Sequence, residues 1–359
     1  MELVSIIEVI LMRVVLVERR SPGEQSRLEE LAALSRTLNY EVVATLQQVR
    51  EPDPAYNIGK GKANELADLV KSSGAERVVS DNQLTPSQAY KLSRLVGVEV
   101  VDRFQLILEI FAMRAGSPEA KLQVEYAKLS YELPRIREQV RALMSVEQPG
   151  LMGGGEYEVD VRYDMVKRKL ANLRRKLKSV ATAREQRRKF RRRRGFKLVA
   201  LAGYTNSGKS TLLNALTAAN AEVDDMYFTT LMPRTRAILT SRKILLTDTV
   251  GFIDGLPPWM IEAFKATLEE IYLADLVMLI VDASDQIPEL LRKFRTSRDV
   301  LAEYPVKVVT VLNKIDLISQ DDLERKMDVL NNLSSSIVSI SAAKGTNFGA
   351  LLDVMRANV

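Results

Sequence analysis

Gly203-Tyr204-Thr205-Asn206-Ser207-Gly208-Lys209-Ser210 fits the pattern G-x-x-x-x-G-K-[ST], and Thr211 opens a helical run behind it. The chemistry of such a stretch is phosphate capture. Gly203 and Gly208 let successive main-chain N–H groups close around a polyphosphate, and the following helix adds the positive potential of its N-terminus. Lys209 then reaches the outer phosphates, and the Ser210 hydroxyl ligates Mg2+. Further along stands Asp248-Thr249-Val250-Gly251. Its aspartate suits a water-mediated hold on the magnesium, and its glycine main chain suits the terminal phosphate. Asn313-Lys314-Ile315-Asp316 follows. A carboxylate at Asp316 accepts two hydrogen bonds from the N1–H and 2-amino groups of guanine. Adenine presents neither, so ATP would leave that carboxylate unsatisfied. Ser341-Ala342-Ala343 suits a loop that closes over the base. In this order and at these spacings, the four motifs predict a GTP/GDP site.

Positioning these groups takes a sheet. The motifs fall at the ends of strand-like runs at 197–202, 243–247, 306–312 and 337–339, with a fifth run at 276–281. Ligands bind at strand ends in doubly wound sheets, so residues 196–359 are expected to form a doubly wound P-loop GTPase domain. The first part also alternates strand and helix patterns: strands at 14–17, 41–49, 77–80 and 98–101, helices around 28–38, 62–71 and 104–114. Thr85-Pro86-Ser87-Gln88 is a capping box with proline at the first helical position. Residues 1–118 are therefore read as a parallel α/β domain. Between them, Leu122, Tyr126, Leu129, Leu133, Ile136, Val140 and Leu143 recur at steps of four and three, as do Val159, Tyr163, Val166, Leu170, Leu173, Leu177 and Val180. That spacing predicts an antiparallel helical hairpin over 119–195, turning at the glycine-rich stretch 149–155. The fold class is α/β.

Composition narrows the chemistry. The 359 residues contain no cysteine and no histidine, which excludes disulfides, thiolate zinc sites, cysteine nucleophiles and every imidazole-based mechanism. The net charge is +6, yet residues 160–194 hold sixteen Lys or Arg against three acids, a local net of +13. The positive charge thus sits on one element and points to a polyanion such as RNA. The apolar stretch 3–17 is broken by Glu8 and Arg13 and is too short to span a bilayer. A cytoplasmic monomer with no membrane partner is expected.

The chain resembles the HflX family of translation-factor-class GTPases, in the archaeal type without a further C-terminal domain. The resemblance is carried by the phosphate loop, by Phe228-Thr229-Thr230-Leu231-Met232-Pro233 and by Asp248-Thr249-Val250-Gly251-Phe252-Ile253. In the first part it is carried by Tyr56-Asn57-Ile58-Gly59-Lys60-Gly61-Lys62, Leu84 to Gln88, and Leu122-Gln123-Val124-Glu125. Met232 departs from the family's usual Asp, and Gly153-Gly154-Gly155-Glu156 is a shorter glycine stretch than usual.

The resemblance implies that Phe228, Thr229 and Thr230 line the nucleotide, and that Thr230 joins Ser210 on Mg2+ when GTP is bound. Lys209, Thr230 and Gly251 would then meet the reacting phosphate. It implies a partner, the large (50S) ribosomal subunit with its rRNA, and a role in translation, ribosome splitting or rescue. Phe252 stands where many GTPases place a water-orienting glutamine; a phenyl ring cannot do that, so slow intrinsic hydrolysis stimulated by the partner is expected. Asn206 is the position at which some related GTPases hold K+, with Arg234 and Arg236 as rival charge donors. The alternative reading is a GTP-dependent RNA-remodelling or RNA-modification factor acting off the ribosome. A metabolic kinase or ATPase is disfavoured by Asp316.

Overall fold

A computed structural model of the chain describes residues 11–144, 154–217, 234–238, 241–255, 257, 259–260, 263–264, 270–302 and 305–359. Contacts divide the chain into two units, Met1–Met113 with Lys128–Ala171, and Arg114–Ala127 with Asn172–Val359.

In the first unit, four strands form a wholly parallel sheet in the order β2-β1-β3-β4: β1 (Met12–Arg20), β2 (Tyr40–Val49), β3 (Arg77–Ser80) and β4 (Glu99–Asp102). β1 is central because Val14, Val15, Leu16 and Val17 are apolar on both faces, as a strand covered from both sides requires. The helices that cover it are α1 (Leu28–Thr37), α2 (Lys60–Ser73), α3 (Pro86–Val96) and α4 (Arg103–Arg114). The capping box forms as read: the Gln88 N–H donates to Thr85 Oγ1 at 3.2 Å, and the Thr85 N–H donates to Gln88 Oε1 at 3.0 Å. Asp102 is fully buried at the end of β4. Its Oδ1 accepts the Phe104 and Gln105 N–H groups and starts α4, while its Oδ2 accepts the Tyr131 hydroxyl at 2.5 Å.

The amphipathic spacing in the middle of the chain becomes two long helices, α5 (Pro118–Met144) and α6 (Gly154–Arg193). α5 runs through Pro134. Each contributes to both units. Within the first unit, Arg162 of α6 pairs with Glu132 of α5 at 2.6 Å. The turn at 149–155 lies outside the described residues up to Gly153.

In the second unit, six strands run in the order β10-β9-β8-β5-β7-β6. They are β5 (Lys197–Gly203), β6 (Arg234–Ile238), β7 (Ser241–Asp248), β8 (Leu276–Asp282), β9 (Val308–Asn313) and β10 (Ile337–Ser339). All neighbours are parallel except β6, which pairs antiparallel with β7. The four helices described in full after β5 are α7 (Lys209–Leu216), α8 (Ile287–Ala302), α9 (Gln320–Asn331) and α10 (Phe348–Asn358). β5, with its 0 % exposed Val199 to Ala202, is the central strand, and its C-terminal end runs directly into the phosphate loop. β6 was not among the strands read from the sequence. An edge strand needs little apolar surface, and Arg234-Thr235-Arg236 supplies almost none.

Candidate functional site

The phosphate loop bends between β5 and α7 at Gly208, whose φ of +91° is a left-handed conformation. A Cβ there would lie 2.3 Å from Asn313 Nδ2, so only glycine fits. Lys209 is buried beneath the loop, where its Nζ donates to the main-chain oxygens of Gly203 at 3.1 Å and Tyr204 at 2.7 Å. Burial pushes its pKa down to about 8; Asp248 opposes that shift and Lys314 adds to it. Ser210 Oγ donates to Asp248 Oδ2 at 2.6 Å. The hydroxyls of Thr205 and Ser207 are buried with no hydrogen-bond partner among the described residues. Asn206 stands exposed at the loop tip with φ +62°, and Thr211 follows in the first turn of α7.

The Asp248–Gly251 segment leaves β7 and lies against this loop. Asp248 and Thr249 are fully buried, and Val250 is nearly so. Thr249 Oγ1 donates to the Leu201 carbonyl at 2.7 Å, so its side chain braces β5. Gly251 presents only main chain, and a Cβ there would stand 2.8 Å from Thr205 Cγ2 and 3.1 Å from Lys209 Nζ. The next residue is bonded to the phosphate loop from both of its main-chain groups. The Phe252 N–H donates to Gly203 O at 2.9 Å, and Phe252 O accepts the Thr205 N–H at 2.8 Å. The Phe252 ring is 2 % exposed, packed away from solvent.

The end of this segment is held by residues that no motif marked. The Asp254 N–H donates to the Tyr204 hydroxyl at 3.1 Å, and the Asp254 carboxylate meets Arg292 and Thr296 of α8. Arg292 also lies over the Tyr204 ring at 5.5 Å. The only signal in the sequence is that Arg292 and Thr296 are four apart on one helix, hence on one face. Such a pair is too common to read as functional.

At the other end of the site, Asn313 ties two loops together. Its Nδ2 donates to Ser207 O and its Oδ1 accepts the Ala342 N–H, each at 2.9 Å. Lys314 takes a left-handed φ of +66° and pairs with Asp282 at 2.6 Å, a partner the sequence did not reveal. Asp316 sits in a single 3-10 turn, Ile315–Leu317, with Lys344 Nζ at 3.9 Å. Ser341 and Ala342 are buried, and Ala343 is exposed. The phosphate loop, Asp248–Gly251, Asn313–Asp316 and Ser341–Ala343 all stand at the C-terminal ends of their strands, as read. Phe228, Thr229 and Thr230 lie outside the described residues, as does Met232. Arg234 and Arg236 are exposed on β6. Among the described residues no cluster of three metal-ligating Asp, Glu, His or Cys residues exists, and no helix is long and apolar enough to cross a membrane.

A central parallel strand feeding a Gly-Lys-Ser loop, with a carboxylate two strands away on the same rim, defines a P-loop GTPase. Comparison with known proteins agrees over nearly the whole length. Residues 25–112 match the family described as GTP-binding GTPase N-terminal, residues 114–191 the GTP-binding GTPase Middle Region, and residues 198–314 the 50S ribosome-binding GTPase family. GTPase HflX of Thermococcus kodakarensis is 46% identical over 93% of this chain and 78% of its own. GTPase HflX of Methanocaldococcus jannaschii is 44% identical over 95% of this chain and 85% of its own. A crystal structure of SsGBP in complex with GDP superposes with a TM-score of 0.57 at 30% identity, covering 97% of this chain and 98% of that one. The chain belongs to the HflX GTPase family, and the protein is a GTP hydrolase.

The buried lysine makes nucleotide binding proton-linked. A phosphate beside Lys209 favours its charged form, whereas the empty site lets the proton go above pH 8 or so. GDP affinity, measured by calorimetry, is expected to fall about tenfold between pH 7 and pH 9. In Lys209→Arg, whose guanidinium keeps its proton, the fall should vanish. An equal fall in both proteins would show that another group titrates.

Proposed function

We propose that this protein is a GTP-driven switch that docks on the large ribosomal subunit, through rRNA, and acts in translation by splitting or rescuing ribosomes. The observation that carries the reading is the direct passage from the cationic helix into the nucleotide site. α6 ends at Arg193, and the Phe196 N–H closes it by donating to Arg191 O at 3.2 Å around Gly195 at φ +75°. β5 begins at Lys197 and ends in the phosphate loop. α6, with a net charge of +10, is thus joined to β5 by three residues, and β5 leads straight into the phosphate loop. The 50S ribosome-binding description of the family matched at 198–314 supports the same partner.

In this reading the main-chain amides of the loop and Lys209 hold the phosphates, and Asp316 holds guanine. Ser210 and Asp248 form an all-oxygen pair beside the phosphates, which fits Mg2+. Bound there, the ion would screen the phosphate charge. Thr230 would complete the set from the segment 218–233. The Gly251 main chain would meet the terminal phosphate, so the bridge from Phe252 to Gly203 and Thr205 must open for GTP and can re-form once phosphate leaves. Nothing in the Phe252 side chain can orient water, so turnover waits for the partner.

The deciding experiment measures GTP hydrolysis with purified large subunits, with free RNA and alone, across a salt series. Stimulation by large subunits that fades as salt rises is expected. Equal stimulation by free RNA would favour an RNA-remodelling role off the ribosome. Fast hydrolysis by the protein alone would overturn the reading.

A further inference from the structure

The C-terminal end of α6 carries an aromatic ring where no packing calls for one. Residues 187–194 hold seven Lys or Arg, no acid and one apolar residue, Phe190. Phe190 is 57 % exposed, although burying such a ring is ordinarily worth about 1.5–3 kcal/mol. The Arg194 guanidinium lies 4.3 Å from the centroid of its ring. One face is thus covered by a cation, which fixes the ring, and the exposure belongs to the rest of it. Lys189, Arg193 and Arg194 are exposed around it. Among the described residues Lys189 is partnered across an exposed pair with Glu185 at 2.9 Å, a contact that costs little to exchange.

We infer that Phe190 is a stacking platform for one unpaired RNA base, with the neighbouring cations holding the phosphates on either side. The inference rests on the RNA-binding reading above and deepens it. Charge alone selects a polyanion but does not distinguish duplex from single strand. A planar ring held open among cations does, because the bases of a duplex are already stacked on each other and only an unpaired base offers a free face. The Arg194 cation over one face would in turn strengthen a sandwich of guanidinium, ring and base. An apolar protein partner would instead have to strip water from this dense cluster of cations in order to bury one ring.

The test uses the full chain and two fluorescein-labelled ten-nucleotide strands, one of adenosines and one with the same phosphates but abasic at every position. Anisotropy titrations are run at several salt concentrations. The wild-type protein is expected to prefer the adenosine strand by about 5- to 150-fold, the range of one stacked base. Phe190→Ala should lose that preference by weakening only the adenosine strand, with the salt slope unchanged, and Phe190→Trp should restore it. Intrinsic GTP hydrolysis should be the same in all three, since Phe190 is not among the residues assigned to the nucleotide site, and this also reports that the variants fold. Salt-dependent binding of both strands without preference, or an equal loss on both in Phe190→Ala, overturns the platform and leaves the RNA reading standing. Failure of both strands to bind at low salt overturns the platform and the RNA reading alike.

Discussion

Asp316→Ala is expected to abolish the preference for guanine over adenine nucleotides while the protein stays folded. The carboxylate is positioned by the turn after β9 and, among the described residues, makes a single 3.9 Å approach to Lys344, an exposed lysine whose pairing is worth little. Among the described residues its carboxylate makes no hydrogen bond that holds the domain together, so the melting temperature should move by no more than a degree or two. Each hydrogen bond from guanine to a charged acceptor is worth about 1.5–3 kcal/mol, and there are two to lose. The ratio of GTP to ATP affinity should therefore drop by about 10²–10⁴-fold, read as competition of each against labelled GDP. Neighbouring Asn313 should behave differently. It spans Ser207 and Ala342 from a buried position, so Asn313→Ala should loosen both loops and weaken every nucleotide alike. Guanine preference surviving in Asp316→Ala would mean that the base is recognised elsewhere.

Much of this site was legible because its chemistry is local. Phosphate capture needs eight consecutive residues of fixed type, and base recognition needs four, so Gly203 to Ser210 and Asn313 to Asp316 announce themselves. The parallel sheets were legible for a similar reason, since apolar runs such as Val14 to Val17 and Val199 to Ala202 have no other stable place. What stayed hidden is what joins distant residues of ordinary type. Lys314 finds Asp282 across 32 positions and Tyr204 finds Arg292 across 88, and nothing about a lysine or an arginine in a helix or loop says which carboxylate or ring it will meet. Asp102 was equally silent. In the sequence it merely follows the strand run 98–101, yet it starts α4 and receives Tyr131 from α5. The edge strand β6 was missed because pairing on one side asks for hydrogen bonds more than for apolar side chains. The bridge between Phe252 and the phosphate loop is made wholly of main-chain groups, which a sequence cannot display.

Lys209→Met is expected to make the nucleotide-free protein more stable and almost unable to bind nucleotide. The lysine is buried with its pKa pushed down to about 8, which means that its charged form is disfavoured in the folded state. Keeping it protonated at pH 7 costs on the order of 3 kcal/mol. Methionine keeps the linear stem and removes the charge. The two carbonyls that lose the ammonium each keep another donor: Gly203 O the Phe252 N–H at 2.9 Å, and Tyr204 O the Ser207 N–H at 3.3 Å. Asp248 keeps the Ser210 hydroxyl. A net gain of about 1–3 kcal/mol in unfolding free energy follows, measured by denaturant titration of nucleotide-free protein. Its pH dependence has a definite sign. Below pH 8 the lysine is protonated both folded and unfolded, and its full cost is present. Between pH 8 and its ordinary value of 10.5 the folded form gives up the proton, the wild type gains stability, and the advantage of the variant fades. Binding moves the other way, because a buried phosphate deprived of the Lys209 ammonium loses the cation that compensates it. GDP affinity should fall by about 10²–10³-fold. A variant less stable than the wild type at pH 7 would show that the ammonium holds the empty loop together. The opposite result locates the origin of the strain: the domain tolerates a costly charge at the end of its central strand because a polyphosphate is the partner that relieves it.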